Sequence, residues 1–516
     1  MKNRPSTHLL IQAVLLGGVL AALLAIAMAD RIRGFTPSAF VLIRDLSGLI
    51  ALIVGFVLLV WRFRYRGELN LFTGAMILYC IGTVAQFRLF TDPEYTARGE
   101  ARSAARLAKA QAIRARGVGG EYDDAKLQAL LGTADREAIG WAQSPALEDT
   151  TTLGTVLGST SASVPLLSVL VMLAGFALLQ KDGLLLWIQR NSLLLVFAAV
   201  VPLMTIIALF TRGGKFLGGM TPWEPAKILF LTSLAGILAD QYSFLERSGW
   251  RVPRLRFLLP LLIVVAAGLL PFFLLGDFGQ LLVFVVVYAL LYLIAVRRPV
   301  HVLHGVVVLV LAFLLLSAVD GVPNRVFIRF HLWKDTWAAP PETATWWSGE
   351  LQRIRAGYGE AGSRISNEDA WYEKGSQLAQ ALFGISAGRL TGSGLGLGLP
   401  ETVPVSDSDF IYSTIAEELG LLGSMAVVIP ILLFGVLGVS VAMQAKDAFT
   451  KLIAAGITAF LAFQALVNIG GVLNVLPLTG ITLPFVSHGG WSLITSFGMV
   501  GMLMGISHRN RVSQLA

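Results

Sequence analysis

Long apolar runs separated by short polar breaks dominate the chain. A helix needs roughly 20 apolar residues to cross a bilayer, and about twelve runs approach that length. The first three are residues 9–28, 41–61 and 71–87. A polar insert over 88–163 follows, and then come runs at 166–179, 192–210, 225–240, 257–275, 281–296 and 302–318. A second polar loop covers 320–408, and the last runs are 410–443, 452–473 and 491–506. The pattern predicts an all-α polytopic membrane protein in five parts: N-terminal spans (1–87), a helical insert and linker (88–163), a first block of core spans (164–319), a large loop (320–408) and C-terminal spans (409–516). The 410–443 run is longer than one crossing requires and is predicted to begin as a tilted or re-entrant helix.

Composition supports this class. Of 516 residues, 55% are hydrophobic and only 14% charged, where soluble domains carry about 25% charged residues. The single cysteine, Cys80, excludes a disulfide framework and a cysteine-built metal site. The six histidines show no HExxH-type spacing. The formal charge of +8 fits basic cytoplasmic loops better than nucleic acid. With Lys2 and Arg4 inside, the same side receives Arg62, Arg64 and Arg66, then Lys181 and Arg190, then Arg247, Arg251, Arg254 and Arg256. It also receives Arg297, Arg298, Lys446, Lys451, Arg509 and Arg511, while Arg31, Arg33, Arg212 and Lys215 fall on the other side. An even span count with both termini in the cytoplasm is expected, which puts both long loops outside. No cleavable signal peptide is expected, because the first apolar run is long enough to span and lacks a small-residue cleavage pattern.

Chemistry-bearing groups gather on that outer side. The stretch GSGLGLGLPETVPVSDSDFIYSTIAEELG, residues 392–420, ends the second loop and opens an apolar helix. Asp407 and Asp409 sit at the junction, with Glu417 and Glu418 two turns later. Acids at a membrane mouth are costly to desolvate and are usually paired or functional, although an Asp there can also cap the helix. Glu224 and Lys227, three apart at the start of a span, share a helix face and can pair. Asp277 lies in a tight turn, Gly276-Asp277-Phe278-Gly279, where turn chemistry alone would explain it. Residues 325–337, RVFIRFHLWKDTW, alternate aromatics with Arg325, Arg329, Lys334 and Asp335, as an amphipathic surface segment does, and could equally steer an anionic headgroup. Residues 468–492 are rich in Gly, Pro and Thr, and such irregular backbone is tolerated at this depth only where protein buries it or it lines a cavity. The alanine-rich insert over 88–163 reads as a solvated helical hairpin, with partner docking as the sharper alternative. No nucleotide-binding loop is visible, so the energy for any chemistry has to reside in the substrate, as in an activated lipid-linked donor.

The motif PLTGITLPFVSHGGWS, residues 477–492, resembles the signature P-x-T-G-[IL]-x-L-P-F-[IV]-S-[YA]-G-G-[ST]-S of the SEDS family, the FtsW/RodA/SpoVE membrane proteins of bacterial cell-wall synthesis. Ser487 matches, His488 replaces Tyr or Ala, and Trp491 replaces a small hydroxyl residue. LPETVPVSDSDFIYSTIAEELGLLG resembles the family's L-P-E…H-[TS]-D-F-I-F-x-x-I-x-E-E-L-G, which puts Asp409 on the essential aspartate and Glu417 and Glu418 on the paired glutamates. Residues 221–227 resemble Q-P-S-E-x-x-K, keeping Pro222, Glu224 and Lys227, and Asp277-Phe278-Gly279 is similar to a P-D-L-G turn. Residues 377–396 resemble the family's Q…QS…AI-x-S-G-G…G-x-G-L-G run.

The resemblance implies a ten-helix core, here with about two added spans. It also implies a peptidoglycan glycosyltransferase that polymerises lipid II with undecaprenyl pyrophosphate as leaving group. Asp409 would serve as base or as ligand of a divalent cation, Mg2+ or Mn2+. Lys227, Arg325, Arg329 and Lys334 are the cations available to the pyrophosphate, and Glu224, Asp277, Ser487 and His488 are supporting residues. The implied partner is a class B penicillin-binding protein. A lipid II flippase and a non-catalytic division or elongation scaffold remain alternatives.

Overall fold

The computed structural model describes residues 5–32, 39–91, 160–196, 223–247, 255–275, 278–336, 338–357 and 363–515, apart from short gaps at 308–324, 364, 401–402 and 404. The described residues form helices and irregular connections, with no strand among them. The helices longer than one turn are α1 (Pro5–Ile32), α2 (Ala39–Trp61), α3 (Asn70–Thr91), α4 (Thr160–Leu178), α5 (Asp182–Arg190), α6 (Trp223–Glu246), α7 (Leu255–Leu275) and α8 (Phe278–Val296). They continue with α9 (Arg325–Lys334), α10 (Thr345–Gly357), α11 (Asn367–Gly388), α12 (Ile411–Gln444), α13 (Ala448–Val472) and α14 (Gly490–Leu515).

Among the described residues eight helices are long and apolar enough to cross a membrane, and the α4–α5 pair, bent by 91°, makes up to nine. This is a multi-pass membrane protein. The expected spans at 192–210 and 302–318 lie largely outside the described residues, as does nearly all of the 88–163 insert. Burial orders the bundle: 78% of the membrane-length stretch of α13 and 83% of that of α14 are enclosed, against 22% for α1. Thus α13 and α14 form the centre, and α1 leaves most of its apolar surface uncovered by the rest of the bundle. One apolar core runs through the bundle, from Phe56 and Phe72 to Phe284 and Phe460.

The long helix α12 is broken, in line with its length. Gly420 interrupts it with φ 63° and ψ −157°, a region that essentially only glycine adopts. A Cβ there would lie 2.4 Å from Gly392 N and 2.6 Å from the Leu390 carbonyl. The 389–394 loop takes over the hydrogen bonds that the break frees: Leu421 N donates to Arg389 O (3.0 Å), Ser393 N to Glu417 O (2.9 Å) and Gly394 N to Glu418 O (2.9 Å). Buried backbone groups without partners are costly, so the glycine-rich loop and the half-helix before Gly420 form one unit.

The 320–408 loop is folded rather than extended. Helices α9, α10 and α11 close a second small core around Ile328, Leu332, Trp347, Leu351 and Trp371, with the Trp347 and Trp371 rings edge-to-face at 5.1 Å. This cluster fixes α9, which is stapled to the 474–479 segment. Trp333 Nε1 donates to Val475 O (3.0 Å), and Asn474 Nδ2 donates to Thr336 Oγ1 (3.4 Å).

Candidate functional site

Helix α12 starts at Ile411, with Phe410 at the cap position and no side-chain cap hydrogen bond from it. Asp409 therefore lies within a turn over Val405–Phe410, one residue before the N-cap position. Val405 has φ 59°, and its carbonyl accepts from Phe410 N and Ser408 N, both at 3.3 Å. A positive φ at a β-branched residue is a true outlier, and such strain gathers at functional sites. A second outlier, Phe485 with φ 66°, lies in the irregular 473–489 segment.

These two strained segments are bonded to each other. His488 N donates to Asp407 O (2.8 Å), and Ser487 Oγ donates to Ser408 O (2.6 Å). From α13, Asn468 Nδ2 reaches both Asp409 O (2.9 Å) and Ile481 O (2.6 Å). The backbone around Asp409 is thereby fixed, and its side chain is partly exposed.

Gly480 faces that side chain. It has φ 69°, and a Cβ there would stand 3.3 Å from Asp409 Oδ2 and 3.9 Å from Arg329 Nη2. Arg329 Nη1 donates to Thr479 O (3.0 Å). A carboxylate and a guanidinium from distant segments thus border the same bare stretch of backbone. Lys334, at the exposed C-terminal end of α9, lies further along the same helix, and the Arg325 side chain falls outside the described residues.

Glu224 and Lys227 do pair, at 2.8 Å, and both are buried. Lys227 also donates to Gln464 Oε1 (3.0 Å), and Gln464 Nε2 donates to Thr482 O (3.0 Å). The pair is a strut joining α6, α13 and the 477–492 motif, and its ammonium group is committed to that role. Asp277 lies outside the described residues; two positions on, a Cβ at Gly279 would stand 2.5 Å from Thr479 Cβ, so the start of α8 abuts the same motif.

Glu417 and Glu418 have a separate task. Glu417 Oε1 accepts from Leu399 N (2.8 Å) and Glu418 Oε2 from Gly396 N (3.1 Å). Glu418 Oε1 also meets Arg88 Nε at 2.9 Å, with both side chains buried, and Arg88 Nη2 donates to Gly398 O (3.2 Å). Both glutamates therefore clamp the glycine-rich loop. Sequence reasoning placed Arg88 at the edge of a polar insert and missed this role; the only available signal was a cation closing an apolar run.

The His488 departure has a visible setting. Its ring packs edge-to-face on Phe90 at 5.0 Å, and the Arg44 guanidinium lies over the same Phe90 ring at 5.1 Å. Desolvation lowers the imidazole from its ordinary pKa, the Asp407 carboxylate opposes this, and the Arg44 charge adds to it.

Among the described residues no group of three or more His, Cys, Asp or Glu side chains could hold a metal ion. Asp409 would hold a divalent cation only together with substrate oxygens and water, which is the usual manner of Mg2+.

Residues 214–512 match the FTSW_RODA_SPOVE family, described as cell cycle protein. The peptidoglycan glycosyltransferase RodA of Mycobacterium tuberculosis (strain ATCC 25618 / H37Rv) is 30% identical over 329 residues, covering 61% of this chain and 62% of that protein. The probable peptidoglycan glycosyltransferase FtsW of Bacillus subtilis (strain 168) is 39% identical over 135 residues, covering 26% of this chain and 34% of that protein. The chain thus spans about 62% of the length of the RodA relative. Among solved structures, Thermus thermophilus RodA is 20% identical with a TM-score of 0.36, over 68% of this chain and 96% of that one. A chain from a structure described as "Structural coordination of polymerization and crosslinking by a peptidoglycan synthase complex" is 21% identical with a TM-score of 0.41, over 68% of this chain and 97% of that one. Helices α1 to α5 precede the residues matched by the family.

Proposed function

The chain belongs to the FtsW/RodA/SpoVE family, and from that premise we propose that it is a peptidoglycan glycosyltransferase that polymerises lipid II at the outer face of the cytoplasmic membrane. The observation that carries this reading is the meeting of Asp409 and Arg329 at the bare backbone of Gly480, beside two strained segments bonded to each other. A sugar 4-hydroxyl is a weak nucleophile and needs a base within hydrogen-bond reach. Asp409 takes that proton as the oxygen attacks the anomeric carbon, or would instead serve as a ligand to a divalent cation. The bond from the anomeric carbon to the pyrophosphate oxygen breaks, undecaprenyl pyrophosphate leaves, and inversion gives a β linkage. A bound divalent cation would supply charge neutralisation to the pyrophosphate. Arg329 offers a fixed positive charge to the same group.

Both termini lie in the cytoplasm in this reading, and the α9–α11 cluster and Asp409 face outward. A class B penicillin-binding protein crosslinks the strands produced. The test is polymerisation by the purified protein given lipid II and a divalent cation, with and without its transpeptidase, and with Asp409→Ala as the matched control. Glycan strands from the wild type and none from Asp409→Ala are expected. No strands under any condition, together with lipid II translocation in vesicles, would overturn the reading in favour of transport.

A further inference from the structure

At the end of the bundle opposite Asp409 lies a cavity of about 450 Å³, between the C-terminal ends of α6 and α8 and the turn from α12 to α13. The α12 segment from Gly420 to Gln444 separates it from the Asp409 region by about 35 Å at the helical rise per residue. Arg297, Lys446 and Lys451 line it together with Glu246 and Asp447.

The two carboxylates leave one of the three cations unbalanced. Both Asp447 oxygens are occupied in capping α13, accepting from Thr450 N (2.8 Å) and Thr450 Oγ1 (2.6 Å). Lys451 sits in the first turn of α13, a turn that holds no acidic residue. That is the positive end of the helix dipole, where a cation is disfavoured. Arg297 holds the left-handed conformation, φ 55°, immediately after α8. Lys446 Nζ gives one of its three hydrogens to Ser513 O (3.0 Å), and an anion placed among the three cations would offset the excess of positive charge on this wall. The remaining wall, Leu238, Ile294, Ala295 and Leu452, is apolar, and Tyr242 on the rim is 42% exposed.

We propose that this cavity binds the phosphodiester headgroup of an anionic phospholipid. The three cations hold the phosphoryl oxygens, and the apolar wall receives the first carbons of the acyl chains. A free phosphate shares the anionic chemistry but has no use for the apolar half. Basic clusters at the ends of membrane spans recognise lipid headgroups through this combination, and each cation contributes about fivefold in affinity.

The test uses the full chain in nanodiscs of phosphatidylcholine mixed with phosphatidylglycerol, with retained lipid read by native mass spectrometry after release. The wild type is expected to retain phosphatidylglycerol over phosphatidylcholine. The Arg297→Gln/Lys446→Gln/Lys451→Gln variant is expected to lose that preference by about fivefold per cation removed. A control that removes three cations elsewhere, Arg62→Gln/Arg64→Gln/Arg190→Gln, keeps it. Equal retention by the wild type and the cavity variant overturns the proposal, as does equal loss in both triple variants. Displacement of the lipid by inorganic phosphate would reassign the cavity to a soluble phosphate and overturn the lipid assignment. Asp409→Ala retains lipid like the wild type, so this result is independent of the polymerase assay.

Discussion

One short stretch of chain carries acids with opposite fates. Glu417 and Glu418 are buried and spend their oxygens on backbone amides of the glycine-rich loop and on Arg88. Asp409 stays partly exposed at the mouth, and its backbone carbonyl accepts from Asn468 Nδ2. The comparison separates a buried clamp from the proposed reacting group: the clamp carboxylates are enclosed against loop amides and Arg88, whereas the Asp409 carboxylate borders the bare backbone of Gly480 at the mouth. It also explains why the three acids, all between residues 409 and 418, are not interchangeable.

The separation is sharpest under substitution. Asp409→Asn keeps the shape but removes the base, and should cut polymerisation by about 10²–10⁴-fold, the usual range for general-base catalysis, with an unchanged thermal melt. Arg88→Ala should leave a buried Glu418 charge uncompensated and cost about 3–5 kcal/mol of stability. The double replacement Arg88→Met/Glu418→Met should recover most of that, and a melting series in detergent checks both. Gly420→Ala should cost about 1–3 kcal/mol through its backbone conformation alone, and more through the approach to Gly392; a shifted melt reads it. Asn468→Ala removes the donor shared by Asp409 O and Ile481 O. It should cost about 1–3 kcal/mol while also slowing polymerisation, and so bridge the two regions. The smallest effect is expected from Phe90→Leu, about 0.5–1.5 kcal/mol through the lost ring pairing with His488.

Much of this was legible in the chain itself. The 41–61 run became α2, Ala39–Trp61, because apolar length is a local property, whereas the length of the 410–443 run predicts only a tilted or re-entrant start and not the break at Gly420. The pairing of Glu224 with Lys227 was legible from their spacing. Its commitment to Gln464 was not, since that partner lies 237 positions away. Arg88 and Glu418 are 330 positions apart, and no spacing rule connects them. The same holds for Arg44 over Phe90, which brings a helix that precedes the family-matched residues to the departed His488 position. The 320–408 loop read as polar, yet its scattered tryptophans close a small core that sets Arg329 beside Gly480. Local pattern reports elements and their ends, and the joining of distant polar groups emerges only when the elements pack.

The most direct measurement compares Asp409→Asn with Glu418→Gln in the same preparation, recording the thermal melt and the lipid II polymerisation rate per folded molecule. The account predicts that Asp409→Asn melts with the wild type and polymerises about 10²–10⁴-fold more slowly. It predicts that Glu418→Gln melts earlier while its folded fraction polymerises at the wild-type rate. A destabilised Asp409→Asn, or a fully stable Glu418→Gln without activity, would contradict it.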